Sequence, residues 1–104
     1  MTKQEQIEHF AQFSERMKYT LISKGNDYAG ADRLSNFKAT ADITSTPPAG
    51  VCLTMIGIKV ARLGVLINSG AEPAKESVRD SVLDLANYAA LLDMILSENR
   101  PPNE

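Results

Sequence analysis

The sequence predicts an all-α fold: a small bundle of three long helices and one short helix, assembled as an oligomer. Three observations carry that expectation. Apolar residues recur at steps of three and four over long stretches, the spacing of one helix face. There is no Trp, and aromatic content is only 6%, so the core must rest on Leu, Ile, Val, Ala and Met, which suit helices better than a sheet. The stretch from Pro47 to Asn68 is apolar on nearly every side, with Lys59 and Arg62 as its only charges. A helix of that kind is buried all round. In a chain of 104 residues this calls for a central position plus a subunit interface, so at least a dimer is expected.

The first helix is expected from about Lys3 to Ser23, with Ile7, Phe10, Phe13, Met17 and Leu21 as its apolar stripe. Thr2 is placed to cap it, with Glu5 three residues on as a capping-box partner. Gly25 is placed to end it, because glycine adopts the left-handed backbone that closes helices. The segment from Asn26 to Phe37 reads as an ordered loop: Asn, Asp and Gly mark turns, while Tyr28, Leu34 and Phe37 are anchors. A short helix is expected from about Ser35 to Asp42. Thr46-Pro47-Pro48 then starts the third helix, with Thr46 as cap and proline tolerated in the first turn. That helix closes at Gly70, and Glu72-Pro73 opens the last one, which runs to about Glu98.

One domain over residues 1–98 follows from this, with a polar tail at 99–104. The formal net charge of −2 offers no basic footprint for duplex nucleic acid. The single cysteine, Cys52, excludes a disulfide framework within the chain and reads as a small buried hydrophobe. Met1-Thr2-Lys3-Gln4-Glu5 is polar, so no signal peptide is expected. Val51 to Ile67 is interrupted by Lys59 and Arg62, which argues against a membrane span. A cytoplasmic location is expected.

Chemistry concentrates on the last helix. Glu76, Asp80 and Asp84 fall at i, i+4 and i+8, stepping round the helix by only about 40° each. Asn87 lies in the same arc, and Val78, Val82, Leu85, Ala89, Leu92 and Leu96 are expected to face the core from the other side. Like charges at i+4 repel, and no lysine relieves them on that face. Three such carboxylates suit a cation above them, with Mg²⁺ as the candidate metal. A plain solvated acidic face is the commoner explanation of any three acids. Two details favour the first reading: Leu83 and Leu91 share the acidic side, and the preceding helix supplies a matching cation. Lys59 sits among Cys52, Met55, Ile56, Leu63 and Leu66, where it must snorkel, lose its proton, or meet an acid or phosphate. Arg62, one turn on, can grip a carboxylate or phosphate with two parallel hydrogen bonds. Lys24, Asp27, Tyr28 and Asn36 are each ordinary alone; as a set they suit a base stacked on an aromatic ring beside phosphates.

Taken together, Lys24-Gly25-Asn26-Asp27-Tyr28, then Asn36-Phe37, then Lys59 and Arg62, then Glu76, Ser77, Asp80, Asp84, Asn87 and Tyr88 resemble a phage-type family, the nucleotide-modification-associated domain proteins. The resemblance spans roughly residues 20 to 92, and the final helix is its most specific part. More distantly, the all-α layout with acidic helices is similar to the MazG-like nucleoside triphosphate pyrophosphohydrolases. Those enzymes hold magnesium with Glu-x-x-Glu on one helix and Glu-x-x-Asp on another. This chain departs from that pattern: its acids are spaced by four, and no second acidic pair lies between Pro47 and Gly70. The resemblance implies a protein of nucleotide metabolism, in the host cytoplasm if the source is viral. Three functions stay open on the sequence: a Mg²⁺-dependent nucleotide hydrolase or phosphotransferase, a metal-free protein that sequesters a nucleotide or cyclic nucleotide signal, and a structural helical protein in which Lys59 and Arg62 pair with Asp80 and Asp84.

Overall fold

A computed structural model describes residues 1–28, 32–69 and 75–98, without the side chains of 25–28 and 75–77. The expected all-α class is met: the described residues form helices α1 (Lys3–Tyr28), α2 (Ser35–Thr44), α3 (Pro48–Asn68) and α4 (Lys75–Glu98), and no strand. The tail at 99–104 lies outside the described residues.

Local chemistry explains most helix ends. The Thr2 hydroxyl oxygen accepts the backbone N–H of Glu5 at 3.1 Å and donates its own proton to the Glu5 carboxylate at 3.2 Å, so the expected cap forms. Asp32 starts α2. Its side chain accepts the N–H of Leu34 at 2.9 Å, and its carbonyl accepts that of Ser35 at 3.1 Å. Helix α2 runs past the expected Asp42 to Thr44 and closes on Ser45, which takes the left-handed backbone (φ 55°) that was expected of a glycine elsewhere. Thr46 does not cap α3: that place belongs to Pro47 in extended conformation, and the Thr46 hydroxyl pairs with that of Thr44 at 2.7 Å. Gly25 does not end α1 either. The helix continues to Tyr28. A glycine inside a helix costs about 1 kcal/mol, and tertiary contacts at this end offset it: Lys24 reaches Asp84 on α4, and Arg33 donates to the carbonyl of Ile22 at 3.0 Å.

Helices α3 and α4 pack along each other. α2 lies on α3, and α1 lies on α4. The buried apolar centre is small: Leu34, Cys52 and Ile95, with Phe37, Ile56, Tyr88 and Leu91 packed against it. One expectation fails here. Val82 and Leu96, assigned to the core of α4, are exposed at 41% and 48%. The inward face of α4 is instead the one that carries Asp84, Tyr88, Leu91 and Ile95, because both α3 and α1 pack there. For α3 the expectation is burial by the core and a subunit interface together. Within one chain it is covered on a single side, leaving Leu53, Ile58, Val60, Val65 and Ile67 in water. By length and composition α3 is also the one described helix long and apolar enough to cross a membrane, with a mean hydropathy of 1.9.

Candidate functional site

A cleft of about 1020 Å³ opens where all four helices come together. Its centre is an ion cluster. Asp84 of α4 lies 3.2 Å from Lys59 Nζ of α3 and 3.5 Å from Lys24 Nζ of α1. Lys59 and Asp84 are largely covered, at 21% and 26% side-chain exposure, whereas Lys24 is 63% exposed. Two ammoniums share one carboxylate, so the cluster carries a residual positive charge towards the cleft. Lys59 thus meets an acid, one of the outcomes its apolar surroundings allow.

Asn87 lies one turn beyond Asp84 and is 7% exposed. It lines the cleft, and its Oδ1 is buried without a hydrogen-bond partner among the described residues. Leaving a buried carbonyl unpaired costs about 1–3 kcal/mol, so such groups in native proteins need an explanation. Tyr88 and Phe37 give the cleft aromatic surface. Burial pushes the Tyr88 phenol above its ordinary range, and the Asp84 charge adds to that. The Cys52 thiol is fully buried, pushed up by desolvation, and donates to the Tyr88 carbonyl oxygen at 3.3 Å. It is an inert packing group, not a nucleophile.

The far end of the cleft carries a second ion cluster. Lys38 of α2 pairs with Asp32 and, at 3.0 Å, with Glu98 of α4. The Lys38 ammonium holds the Asp32 carboxyl below its ordinary value, with the Leu34 N–H helping. Lys38 is raised in turn, first by Asp32 and then by Glu98.

Of the residues singled out in the sequence, Lys24, Asn36, Lys59, Asp84 and Asn87 all line this cleft. Arg62 and Asp80 are exposed, do not line it, and make no ion pair among the described residues. The expected four-member cluster is therefore reduced to Lys59 and Asp84, with Lys24 added. The side chains of Asp27, Tyr28 and Glu76 lie outside the described residues. Sequence reasoning missed Arg33, which lines the cleft and ties the start of α2 to α1. Its signal was a lone arginine inside a turn-rich segment.

Mg²⁺ needs closely gathered oxygen donors. Among the described residues no group of three His, Cys, Asp or Glu gathers closely enough to hold a metal ion. Asp84 is engaged by two ammoniums, and Asp80 stands apart in solvent. Mg²⁺ is commonly held by one or two carboxylates, with waters completing its six oxygens; of the three expected ligands Asp84 lines the cleft, Asp80 does not, and the side chain of Glu76 lies outside the described residues. A second hollow, of about 640 Å³, is lined by His9, Gln12, Glu15, Arg16 and Arg79 and holds none of the sequence-derived site residues.

No protein-family model matches the chain. None of the curated proteins and none of the solved structures matches it.

Proposed function

We propose that this protein binds a nucleotide or nucleotide-derived molecule in the four-helix cleft, without need of a metal. Lys24 and Lys59 take the phosphate charge, Tyr88 and Phe37 cover the base, and Asn87 accepts a hydrogen bond from the base edge. Asn36 lies on the cleft wall within reach of the same ligand. The observation that carries this reading is the buried, unpartnered Asn87 carbonyl one turn from an ion cluster of net positive charge. A purely structural ion pair gives no account of the orphaned acceptor beside it. An exocyclic amine of a base is the kind of donor that would satisfy it.

The reading agrees with the resemblance to phage-type nucleotide-metabolism proteins, and it favours sequestration over hydrolysis. Mg²⁺ held by Glu76, Asp80 and Asp84 is the alternative, motivated by their helical spacing; it requires both ammoniums to leave Asp84. We further assign the protein to the cytoplasm, as an oligomer of at least two copies and not as a membrane protein. Support for the last point is that Lys59, in the middle of the apolar α3, is neutralised by Asp84 from its own chain.

The test is thermal shift and calorimetric titration against a panel of mono-, di- and cyclic nucleotides, in EDTA and in Mg²⁺. Stabilisation in EDTA that is lost in Lys59→Ala and Asn87→Ala supports metal-free binding. Stabilisation only in Mg²⁺, abolished by Asp80→Asn, supports the metal alternative. Silence across the panel in both buffers sinks the nucleotide reading and leaves Lys59–Asp84 as a register-fixing pair.

A further inference from the structure

The face of α3 turned away from α4 repeats with a period no single chain uses. Gly50, Leu53, Gly57, Val60, Gly64 and Ile67 are separated by three, four, three, four and three residues. That is the seam of a heptad pattern, with glycine at every first position and a large aliphatic at every fourth. Leu53, Val60 and Ile67 are 61%, 52% and 65% exposed. A Cβ built on Gly57 or Gly64 would meet nothing within 4 Å. Mid-helix glycines weaken a helix relative to alanine, and among the described residues no neighbour requires the small size of Gly57 or Gly64.

The same face is prepared for removal from water. It carries no charge, and its two polar side chains are satisfied within the helix: the Thr54 hydroxyl donates to the Gly50 carbonyl at 3.0 Å, and the Asn68 amide to that of Gly64 at 2.9 Å. The whole chain is also under-buried. Its accessible surface is 7655 Å², against about 5,700 Å² for a compact monomer of this mass. Its radius of gyration is 16.0 Å, against about 13 Å expected.

We infer that α3 packs on α3 of a second copy of this chain, antiparallel about a two-fold axis that passes between Gly57 and Val60. In that register every layer holds one glycine and one aliphatic: Gly57 faces the partner's Val60, Gly64 the partner's Leu53, and Gly50 the partner's Ile67. A parallel pair would stack glycine on glycine and aliphatic on aliphatic, leaving gaps and bulges in alternate layers. The antiparallel pair is self-complementary, as a two-fold interface must be, and the glycines let the helices approach more closely than usual. A lipid surface has no use for this alternation of sizes. The inference specifies the surface behind the proposed oligomer and stands independently of the nucleotide reading.

Sedimentation velocity on the full chain, from about 1 to 100 µM, tests it. Wild type should be a dimer. Gly57→Val should weaken the dimer by about tenfold or more through overpacking, yet keep the helical circular dichroism of the fold, because the site is open in the monomer. The swap Gly57→Val with Val60→Gly should restore association to within about threefold, since each layer again holds one small and one large side chain. Val60→Glu should give a folded monomer. A wild-type monomer throughout the range overturns the inference, as does a dimer indifferent to both Gly57→Val and Val60→Glu. A swap that fails to restore the dimer overturns the layered packing. Co-sedimentation of a monomeric wild type with phosphatidylcholine–phosphatidylglycerol vesicles would assign the face to lipid instead.

Discussion

The two ion clusters of the cleft are inverted copies of each other. At one end two lysines share a carboxylate, Lys24 and Lys59 on Asp84; at the other two carboxylates share a lysine, Asp32 and Glu98 on Lys38. Along α4 they stand about 21 Å apart, fourteen residues at 1.5 Å each. Their surroundings differ. Lys59 and Asp84 are about three-quarters covered, and the first cluster draws its members from α1, α3 and α4. Lys38, Asp32 and Glu98 are each close to half exposed, and one of their pairs is a contact across only six residues of chain. Similar distances therefore carry unequal weight. In a covered site, removing one partner strands the other in a poor solvent, whereas at the surface water replaces it.

That contrast can be broken most directly by Asp84→Ala. It should lower unfolding free energy in urea by about 1–3 kcal/mol, less than for a fully desolvated pair because Asp84 keeps some contact with water. A loss below the error of the measurement would mean that coverage at this site has no energetic consequence. Next in size is Asn87→Leu. If the orphaned Oδ1 is held in place for a ligand, its removal should raise stability by about 1 kcal/mol and abolish the nucleotide-induced thermal shift. A destabilised variant that still binds would contradict the assignment. Within the first cluster, Lys59→Ala should cost about 1 kcal/mol because its stem and charge are covered, whereas Lys24→Ala should leave the urea midpoint in place and weaken only phosphate binding.

The smallest effect belongs to Lys38→Ala, which should lower the urea midpoint slightly. The pH range of that difference is fixed by the direction of the shifts. The folded-state value of Asp32 lies below 3.8, so its contribution is present above 3.8 and is lost as pH falls through the folded value. The folded-state value of Lys38 lies above 10.5, so its contribution is present below 10.5 and is lost as pH rises through the folded value. Denaturation of wild type and variant from acid to alkaline pH should show a flat difference that closes at both extremes. A difference as large as that of Asp84→Ala would erase the distinction between the two clusters.

The helices were legible in the sequence because their signals are local. Thr2 with Glu5 and Pro48 in the first turn of α3 act within three or four residues of themselves, and periodicity marked the stretches between them. Helix ends that depend on other parts of the chain were not legible. Gly25 reads as a stop, yet α1 continues past it, with Lys24 and Arg33 making tertiary contacts near this end. A lysine amid apolar neighbours must snorkel, lose its proton, or meet an acid or phosphate, and Lys59 meets an acid. Which of these outcomes holds, and with which acid, was not legible. Asp80 and Asp84 differ by one turn and share a residue type, yet among the described residues one is paired and the other, like Arg62, is exposed and makes no ion pair.

The sequence by itself determined that this chain is helical, where most of its helices begin, and which residues share each helix face, because all three follow from backbone geometry repeated every three to four residues. The tertiary structure alone decided which face meets which neighbour. It turned the Asp84 side of α4 inward and the Val82 side outward, brought Lys24 to a carboxylate sixty residues away, and left one side of α3 uncovered. Periodicity sorts residues onto faces, but pairing of faces is a competition among all of them at once, settled by packing and desolvation over contacts that no local window contains.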